Sequence, residues 1–555
     1  MKQLALVWAV FFALAIAITF PLVLQLDASL LGDARIDVWN HAWGYWWFEQ
    51  ALGSGELPVH TQLAGGPEGG ALWFIDAAGA TAALPVTALL GPSVAYNLTL
   101  LVRVSLAGLA GWLLARELGA KDSGAWLGGL AYATTPFLLC ELANGISEVC
   151  ATQWVGFTLW AALRATRSWT TKDLALLGFL GGLTAVVSFY QGLAGALTVA
   201  GLLLARLPGA WKAGLLGRQA ALGLLAAAGL GALVFLPVWA LFHGTLEAAD
   251  ALIRRQDGGM MLVAHNAVDP RIYFMPGNFQ SVDLAAEYDE PFVHTAYLRW
   301  SVLLLAGFAL FRRRSLWPVL VATVVSLICG LGNYLWWDGA FVQPGGMMLS
   351  LPFAWLLKLL PQLAITHPLR LALPAMALCC ALAGLGLSEL STWRPAWSKA
   401  LWLALPLVAA EGLFGSSASY PIPRSSAQVP AWYEVDQGMV LDLPAEVGTT
   451  MLTSRYFWYQ TAHGRPIPYT PDVRLGSARE QSLQGLGVEG GQHPGQQRPS
   501  EDQLRQGLEQ HYGLIVLHED FAEKAGVLHD YEQRLSQLLG PPERVEGALI
   551  WRPQR

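Results

Sequence analysis

The feature that most constrains this chain is a series of long apolar runs. About 20 apolar residues in a helix span the roughly 30 Å hydrocarbon core of a bilayer, and runs of about 16 or more predict spans here. Eleven such runs occur. Their approximate limits are 4–24, 94–115, 124–142, 149–165, 173–189, 190–205, 219–241, 297–311, 316–334, 370–390 and 400–417. Only 13% of the residues are charged, against about 25% in soluble proteins. We therefore predict a mainly α-helical, polytopic membrane protein.

The first run is too long for a signal peptide, so we predict an uncleaved spanning helix there. A shorter run, 80–90, contains Pro85 and stops at Gly91. It is too short to span and is expected to be re-entrant or interfacial. The five cysteines lie in apolar segments without metal-ligand spacing, which predicts buried, unpaired thiols.

Charge sorting predicts the orientation. With the N-terminus inside, the inner loops carry fourteen basic residues against four acids, Glu117, Asp122, Asp173 and Glu389. This is a strong positive-inside signal. All eleven histidines and nearly all carboxylates then lie outside or at the outer boundary. The chemistry is therefore expected on the outer face.

The same topology predicts two domains. Residues 1–417 form a transmembrane domain with a first outer loop, 25–93, and a second, 243–296. Residues 418–555 are predicted to form an outer α/β domain, with strands at 439–444 and 513–518 and helices at 501–511 and 521–539. Residues 541–553 suggest a closing hairpin, and 485–500 a flexible loop.

The first outer loop contains LGDARIDVWNHAWGYWWFE at 31–49. From Ile36 onward it can form a helix with four tryptophans on one face and Asp37, Asn40 and His41 on the other. Such an amphipathic helix suits the plane of the membrane interface. The acids Asp33 and Asp37 then carry the reaction, or they simply face water.

Other charged residues are candidates for binding substrate. Arg103 lies about ten residues into the second span, where a charge is costly and usually faces a polar interior. Arginine also matches phosphate oxygens well. Carboxylates can complete the site or hold Mg²⁺ or Mn²⁺. The candidate binding residues are His41, Glu68, Asp76, Arg103, Glu141, Glu148, Arg254, Arg255, His367 and Arg370.

Several short motifs accompany this architecture. They are GD at 32–33 followed by Asp37 and the tryptophan-rich stretch, GGPEGG at 65–70, GPSVAYNL at 91–98, THPLR at 366–370 and SRYFWYQTAHGRPIPYT at 454–470. With the outer C-terminal domain, they make the chain resemble bacterial integral membrane glycosyltransferases of the GT-C class. No Walker-type or dinucleotide-binding fingerprint occurs in the sequence.

The resemblance implies a glycosyltransferase that takes a sugar from a polyprenyl-phosphate carrier. An acid of the first outer loop is then the general base on the acceptor, or it positions that acceptor. Asp33 and Asp37 match this position, and Asp33 is slightly favoured because Gly32 fits a tight loop exit. The family often has two adjacent acids here, whereas these are four residues apart.

The expected partners are the lipid-linked donor, a lipid, glycan or protein acceptor, and the membrane, with no nucleic acid. The predominance of arginine over lysine suggests a bacterial inner membrane, with the C-terminal domain periplasmic. Two alternatives stay open. A transporter would carry charges along a path through the membrane, often with internal repeats. A non-catalytic scaffold of cell-envelope assembly would use the C-terminal domain for binding.

Overall fold

The computed structural model describes residues 2–253, 266–277, 279–281, 294–363, 365–397, 399–433, 435–447, 450–471 and 500–553. The fold is mainly helical, and a helix lies over each predicted span. In chain order these helices are Lys2–Thr19, Pro92–Leu118, Asp122–Ala133, Pro136–Asn144, Gln153–Ser168, Thr171–Val187, Phe189–Lys212, Arg218–Leu246, Trp300–Arg312, Trp317–Gly330, Leu373–Trp393 and Ala404–Phe414. All five cysteines are free and buried, as predicted.

Not every one of these helices has the length and composition of a membrane span. In the described part of the chain, five helices are long and apolar enough to cross a membrane: Lys2–Thr19, Pro92–Leu118, Phe189–Lys212, Arg218–Leu246 and Pro368–Trp393. The pair Trp300–Arg312 and Arg314–Gly330 is bent by 113° and would count as a sixth if it formed one broken span. The total of eleven stays a prediction.

One predicted span differs in the structure. The run at 124–142 is two helices, because Pro136 interrupts it. A residue before proline is pushed out of the α region, and Thr135 has φ −63° and ψ 136°. The second helix, Pro136–Asn144, is buried along its whole length. The C-terminal end of this second helix, at Gly145, lies against the first outer loop.

The loops predicted to lie inside meet at one end of the helical body. Arg313 donates to Glu389 at 2.7 Å, and Arg167 donates to Glu117 at 2.8 Å. These pairs join segments that are far apart in sequence. They are consistent with a position of these loops on one side of the membrane. Which side is cytoplasmic stays a prediction.

The first outer loop contains the helix Val38–Gly53, called here the tryptophan helix. The prediction that it lies in the membrane interface is wrong. Trp39, Trp43 and Trp47 are at most 2% exposed, and His41 on the opposite side is also buried. One side packs on the helical body, and the other packs on the helix Thr453–His463. The tryptophan stripe therefore faces protein.

Further short elements lie between the long helices and after the last of them. The helix Ala77–Leu90 covers the short apolar run that contains Pro85. Strand Ser29–Leu31 pairs antiparallel with Arg424–Ser426. The remaining elements are strands His60–Thr61 with Gly70–Ala71, strands Trp336–Trp337 with Ala340–Phe341, and helix Pro352–Leu359.

The C-terminal part contains a four-stranded sheet in the order Glu543–Val545, Ala548–Trp551, Tyr512–His518, Met439–Leu443. The last two strands are parallel, and the other pairs are antiparallel. Helices Glu501–His511, Glu519–Ala525 and Leu528–Leu539 accompany them, with a short pair of strands, Glu446–Val447 and Thr450–Met451. The predicted strands, first helix and hairpin are present. Residues 485–499 lie outside the described residues.

Candidate active site

The tryptophan helix begins directly against the end of Pro136–Asn144. The Asp37 N–H donates to the Asn144 carbonyl at 3.4 Å. Gly145 allows this close approach: its φ is +74°, and a Cβ there would lie 2.8 Å from Val38 Cα. Such a conformation and such a contact favour glycine. The backbone therefore brings Asp37 to the loop that carries the next candidate acids.

The two candidate bases have different surroundings. Asp33 forms an ion pair with Arg35 at 3.2 Å, and the Arg35 side chain is 46% exposed. Asp37 is partly buried, and its carboxylate makes no capping bond to the tryptophan helix. Burial raises the pKa of Asp37 to about 6, although the nearby Arg370 charge opposes this rise and Glu141 adds to it. Only Asp37 lies within the charged cluster described next.

Asp76 and Arg103 form a buried, bidentate ion pair. Arg103 Nη2 donates to Asp76 Oδ1 at 2.7 Å, and Nη1 donates to Oδ2 at 2.9 Å. Arg103 also donates to the Ser147 carbonyl. Tyr45 and Ser147 donate to Asp76 through their hydroxyls. Burial opposes ionisation of Asp76, but Arg103 and these donors hold its pKa below the usual value. This pair ties the first loop to the second long helix.

His41 and Glu148 lie beside this pair. His41 Nδ1 is 2.9 Å from Ser147 Oγ, and His41 Nε2 is 3.7 Å from Glu148 Oε2. Both side chains are buried. Burial lowers the pKa of His41 to about 4 and raises the pKa of Glu148 to about 8. The His41 ring therefore contacts Ser147 and Glu148.

Glu141 bonds to a histidine of the second outer loop. His294 Nδ1 lies 3.2 Å from Glu141 Oε1, and both residues are buried. The His294 ring is 5.2 Å, centroid to centroid, from the ring of His367. Thr366 Oγ1 lies 2.8 Å from His367 Nδ1. Residues from three distant parts of the chain thus line one cluster.

Arg370 is a second cation of this cluster, besides Arg103. It is 6% exposed, and its guanidinium lies 5.1 Å from the centre of the Tyr190 ring. Its Nε makes no hydrogen bond within the described residues. Its charge acts on Asp37, Glu141 and Glu148. A buried guanidinium facing carboxyl groups is well suited to bind an anion that enters the cluster.

The cluster contains eight of the twelve sequence-predicted site residues: Asp37, His41, Asp76, Arg103, Glu141, Glu148, His367 and Arg370. Glu68 is exposed in the turn between strands His60–Thr61 and Gly70–Ala71, and no contact places it in the cluster. Asp33 pairs with Arg35 outside it. Arg254 and Arg255 lie outside the described residues.

A divalent cation is a further expectation. Among the residues described, no three His, Cys, Asp or Glu side chains are arranged to hold a metal ion. Asp76 is already bonded to Arg103, and Glu141 to His294. This part of the chain therefore does not provide a complete cation site, and the cation stays a prediction.

Sequence reasoning missed several members of the cluster. Ser147 links Asp76 to His41, Tyr45 donates to Asp76, and Tyr190 packs on Arg370. His294 is the partner of Glu141. The one sequence signal for these residues is polarity at the edge of an apolar run, which does not distinguish a site residue from an ordinary boundary residue.

Comparisons with known proteins identify the fold. No protein-family model matches the chain, and a search of curated proteins found no match. The apo oligosaccharyltransferase of Archaeoglobus fulgidus is similar in structure with a TM-score of 0.52, at 12% identity, over 96% of this chain and 71% of that chain. The arabinofuranosyltransferase AftD from Mycobacteria is similar with a TM-score of 0.54, at 14% identity, over 100% of this chain and 40% of that one.

Both proteins are GT-C glycosyltransferases. The chain therefore has the GT-C fold, which confirms the resemblance drawn from its motifs. It spans less than half the length of the arabinofuranosyltransferase. At these identities the likeness concerns the fold, since one fold can host different activities.

Proposed function

We propose that this protein is a glycosyltransferase that moves a sugar from a polyprenyl-phosphate-linked donor to an acceptor on the periplasmic face of a bacterial inner membrane. The observation that carries the proposal is that the Arg370 charge acts on the partly buried Asp37 carboxyl. A base for the acceptor and a cation for the phosphate then share one buried cluster. The GT-C fold supports the reaction class, and the resemblance supports the lipid-linked donor.

Asp37 is the general base in this proposal, in preference to Asp33. A base works best when its pKa lies near the working pH, and burial raises the pKa of Asp37 to about 6. Asp37 is then mostly ionised at neutral pH and still basic enough to accept a proton. Asp33, paired with Arg35 outside the cluster, serves the loop structure.

The reaction needs one base and no covalent intermediate. The acceptor hydroxyl gives its proton to Asp37, and its oxygen bonds to the anomeric carbon of the sugar. The bond from that carbon to the phosphate oxygen breaks, and its electron pair leaves with the lipid phosphate. Arg370 stabilises the charge that develops there, because a fixed guanidinium in a buried site requires little reorganisation. The sugar is transferred with inversion.

The test is transfer of labelled sugar by the full-length protein in detergent, supplied with polyprenyl-phosphate-linked donors. Asp37→Asn is expected to lower the rate about 10²–10⁴-fold, the usual contribution of a general base. Asp33→Asn is the matched control, because it changes an acid of the same loop, and it should retain most activity. Equal activity of wild type and Asp37→Asn would refute the assignment. Full activity of Arg370→Gln would refute its role at the phosphate, and absence of transfer by wild type with every donor supplied would favour the scaffold alternative.

A further inference from the structure

A chain of hydrogen bonds determines which atoms of the cluster carry protons. Asp76 is held ionised by Arg103, so both of its oxygens can only accept. The Ser147 hydroxyl, which contacts Asp76 Oδ2, must therefore donate its proton to Asp76. Ser147 Oγ is then left with lone pairs for its second neighbour, His41 Nδ1, at 2.9 Å.

This arrangement selects one tautomer of His41. Because Ser147 Oγ accepts from the ring, the proton of neutral His41 lies on Nδ1. The other ring nitrogen, Nε2, then presents a lone pair to Glu148 Oε2, 3.7 Å away. A lone pair repels an ionised carboxylate and attracts a carboxyl O–H. The tautomer therefore favours a proton on Glu148.

The surroundings of Glu148 act in the same direction. The side chain is 1% exposed, and neither carboxyl oxygen has a hydrogen-bond partner within the described residues. Burying an ionised carboxylate without hydrogen bonds is costly. The charged groups that act on it are Arg370, which favours ionisation, and Asp76 and Glu141, which oppose it. Burial dominates and raises the pKa of Glu148 to about 8.

The opposite arrangement, a charged His41 paired with an ionised Glu148, is disfavoured. Burial lowers the pKa of His41 and outweighs the Asp76 and Glu141 charges, which raise it, while the positive charges of Arg103 and Arg370 also disfavour a third one. The 3.7 Å separation is also longer than a charge-assisted hydrogen bond. A neutral pair is therefore the stable state at neutral pH.

We propose that Glu148 is a protonated acid that, together with Arg370, binds the single negative charge of a phosphodiester. When the anion binds, the Glu148 O–H turns from the His41 Nε2 lone pair and donates to one phosphate oxygen, and the Arg370 guanidinium donates to another. The identity of this anion rests on the proposed function, in which a lipid phosphodiester is the donor. Ser147 and His41 are positioning residues, because they act only by holding the proton on Glu148.

The first test detects the proton on Glu148 directly. An infrared difference spectrum between wild type and Glu148→Gln, recorded on the full-length protein in detergent at neutral pH, should contain the C=O band of a protonated carboxyl group. The band should disappear as the pH rises through about 8. Asp37→Asn, as the control, should keep it. Absence of the band from wild type at neutral pH would overturn the proposal.

Ser147→Ala tests the chain of hydrogen bonds. Without the serine hydroxyl, His41 can adopt the other tautomer and donate to Glu148, which stabilises the carboxylate. The band should then disappear at a lower pH than in wild type. An unchanged titration would contradict the role of the chain, because a purely structural serine would not move it.

The second test measures binding of a short-chain polyprenyl phosphodiester, an anion that does not itself titrate in this range. Wild type should bind about tenfold more weakly for each pH unit above about 8, because only the protonated fraction binds. Glu148→Gln, which stays neutral, should bind equally at all these pH values. Constant binding by wild type would refute the anion site. Neither test requires sugar transfer, so an inactive protein with a protonated Glu148 would refute only the proposed function.

Discussion

Removal of the Arg103 side chain is expected to destabilise the protein strongly. In Arg103→Met, Asp76 loses two charge-assisted hydrogen bonds, at 2.7 and 2.9 Å. At about 1.5–3 kcal/mol each, the loss is about 3–6 kcal/mol. Breaking one partner of a buried ion pair generally costs about 3–5 kcal/mol. A loss of stability in the lower half of the range of about 3–6 kcal/mol is expected, because Tyr45 and Ser147 still donate to Asp76.

The assay is equilibrium unfolding of the detergent-solubilised protein, followed by tryptophan fluorescence. The double variant Asp76→Leu/Arg103→Met should be more stable than the sum of the two single losses predicts, because it leaves no unpaired buried charge. Arg35→Met is the control: its pair with Asp33 is partly exposed and should contribute less than about 1 kcal/mol. A single Arg103→Met variant as stable as Arg35→Met would refute the reasoning.

Three further outcomes are expected. The kcat/KM for sugar transfer should fall about tenfold per pH unit below about 6, because a protonated Asp37 cannot accept a proton; a flat acid limb would contradict its role as the base. Gln460→Leu should lower the free energy of unfolding by about 1–3 kcal/mol, since it leaves the buried Trp43 N–H, now 2.8 Å from Gln460 Oε1, without an acceptor. Gly44→Ala should lower the free energy of unfolding by about 1–3 kcal/mol through overpacking, because its Cβ would lie 2.1 Å from the Phe74 ring. If Gln460→Leu or Gly44→Ala unfolded at the same midpoint as wild type, the packing role proposed for that residue would be refuted.

The helices were largely predictable from sequence because apolar run length is a local property. The helix Glu501–His511 coincides with the predicted 501–511. Breaks inside helices were harder to predict. The run 521–539 is two helices, since Gly526 adopts φ +70° between them, and glycine alone does not specify that conformation.

The candidate site was predictable as a set of residues and not as an arrangement. Asp33 has a partner two residues away, whereas the cation acting on Asp37 is Arg370, from a distant part of the chain. Sequence spacing therefore did not separate Asp33 from Asp37, and the glycine at position 32 gave a slight preference for Asp33. The tryptophan face was misjudged for the same reason, because the residues that cover it lie near 453–463. A local pattern indicates that a face is apolar and does not indicate whether lipid or protein covers it.

The pairing of strand Ser29–Leu31 with Arg424–Ser426 has a consequence for biosynthesis. The two strands are separated by about 400 residues. At about 5–20 residues per second of translation, the second strand is synthesised roughly 20–80 s after the first. The tryptophan helix also packs on Thr453–His463, and it lacks this contact for at least as long. The face that packs on this later helix thus stays uncovered through most of synthesis, until after the last residue of the candidate site, Arg370, has been made.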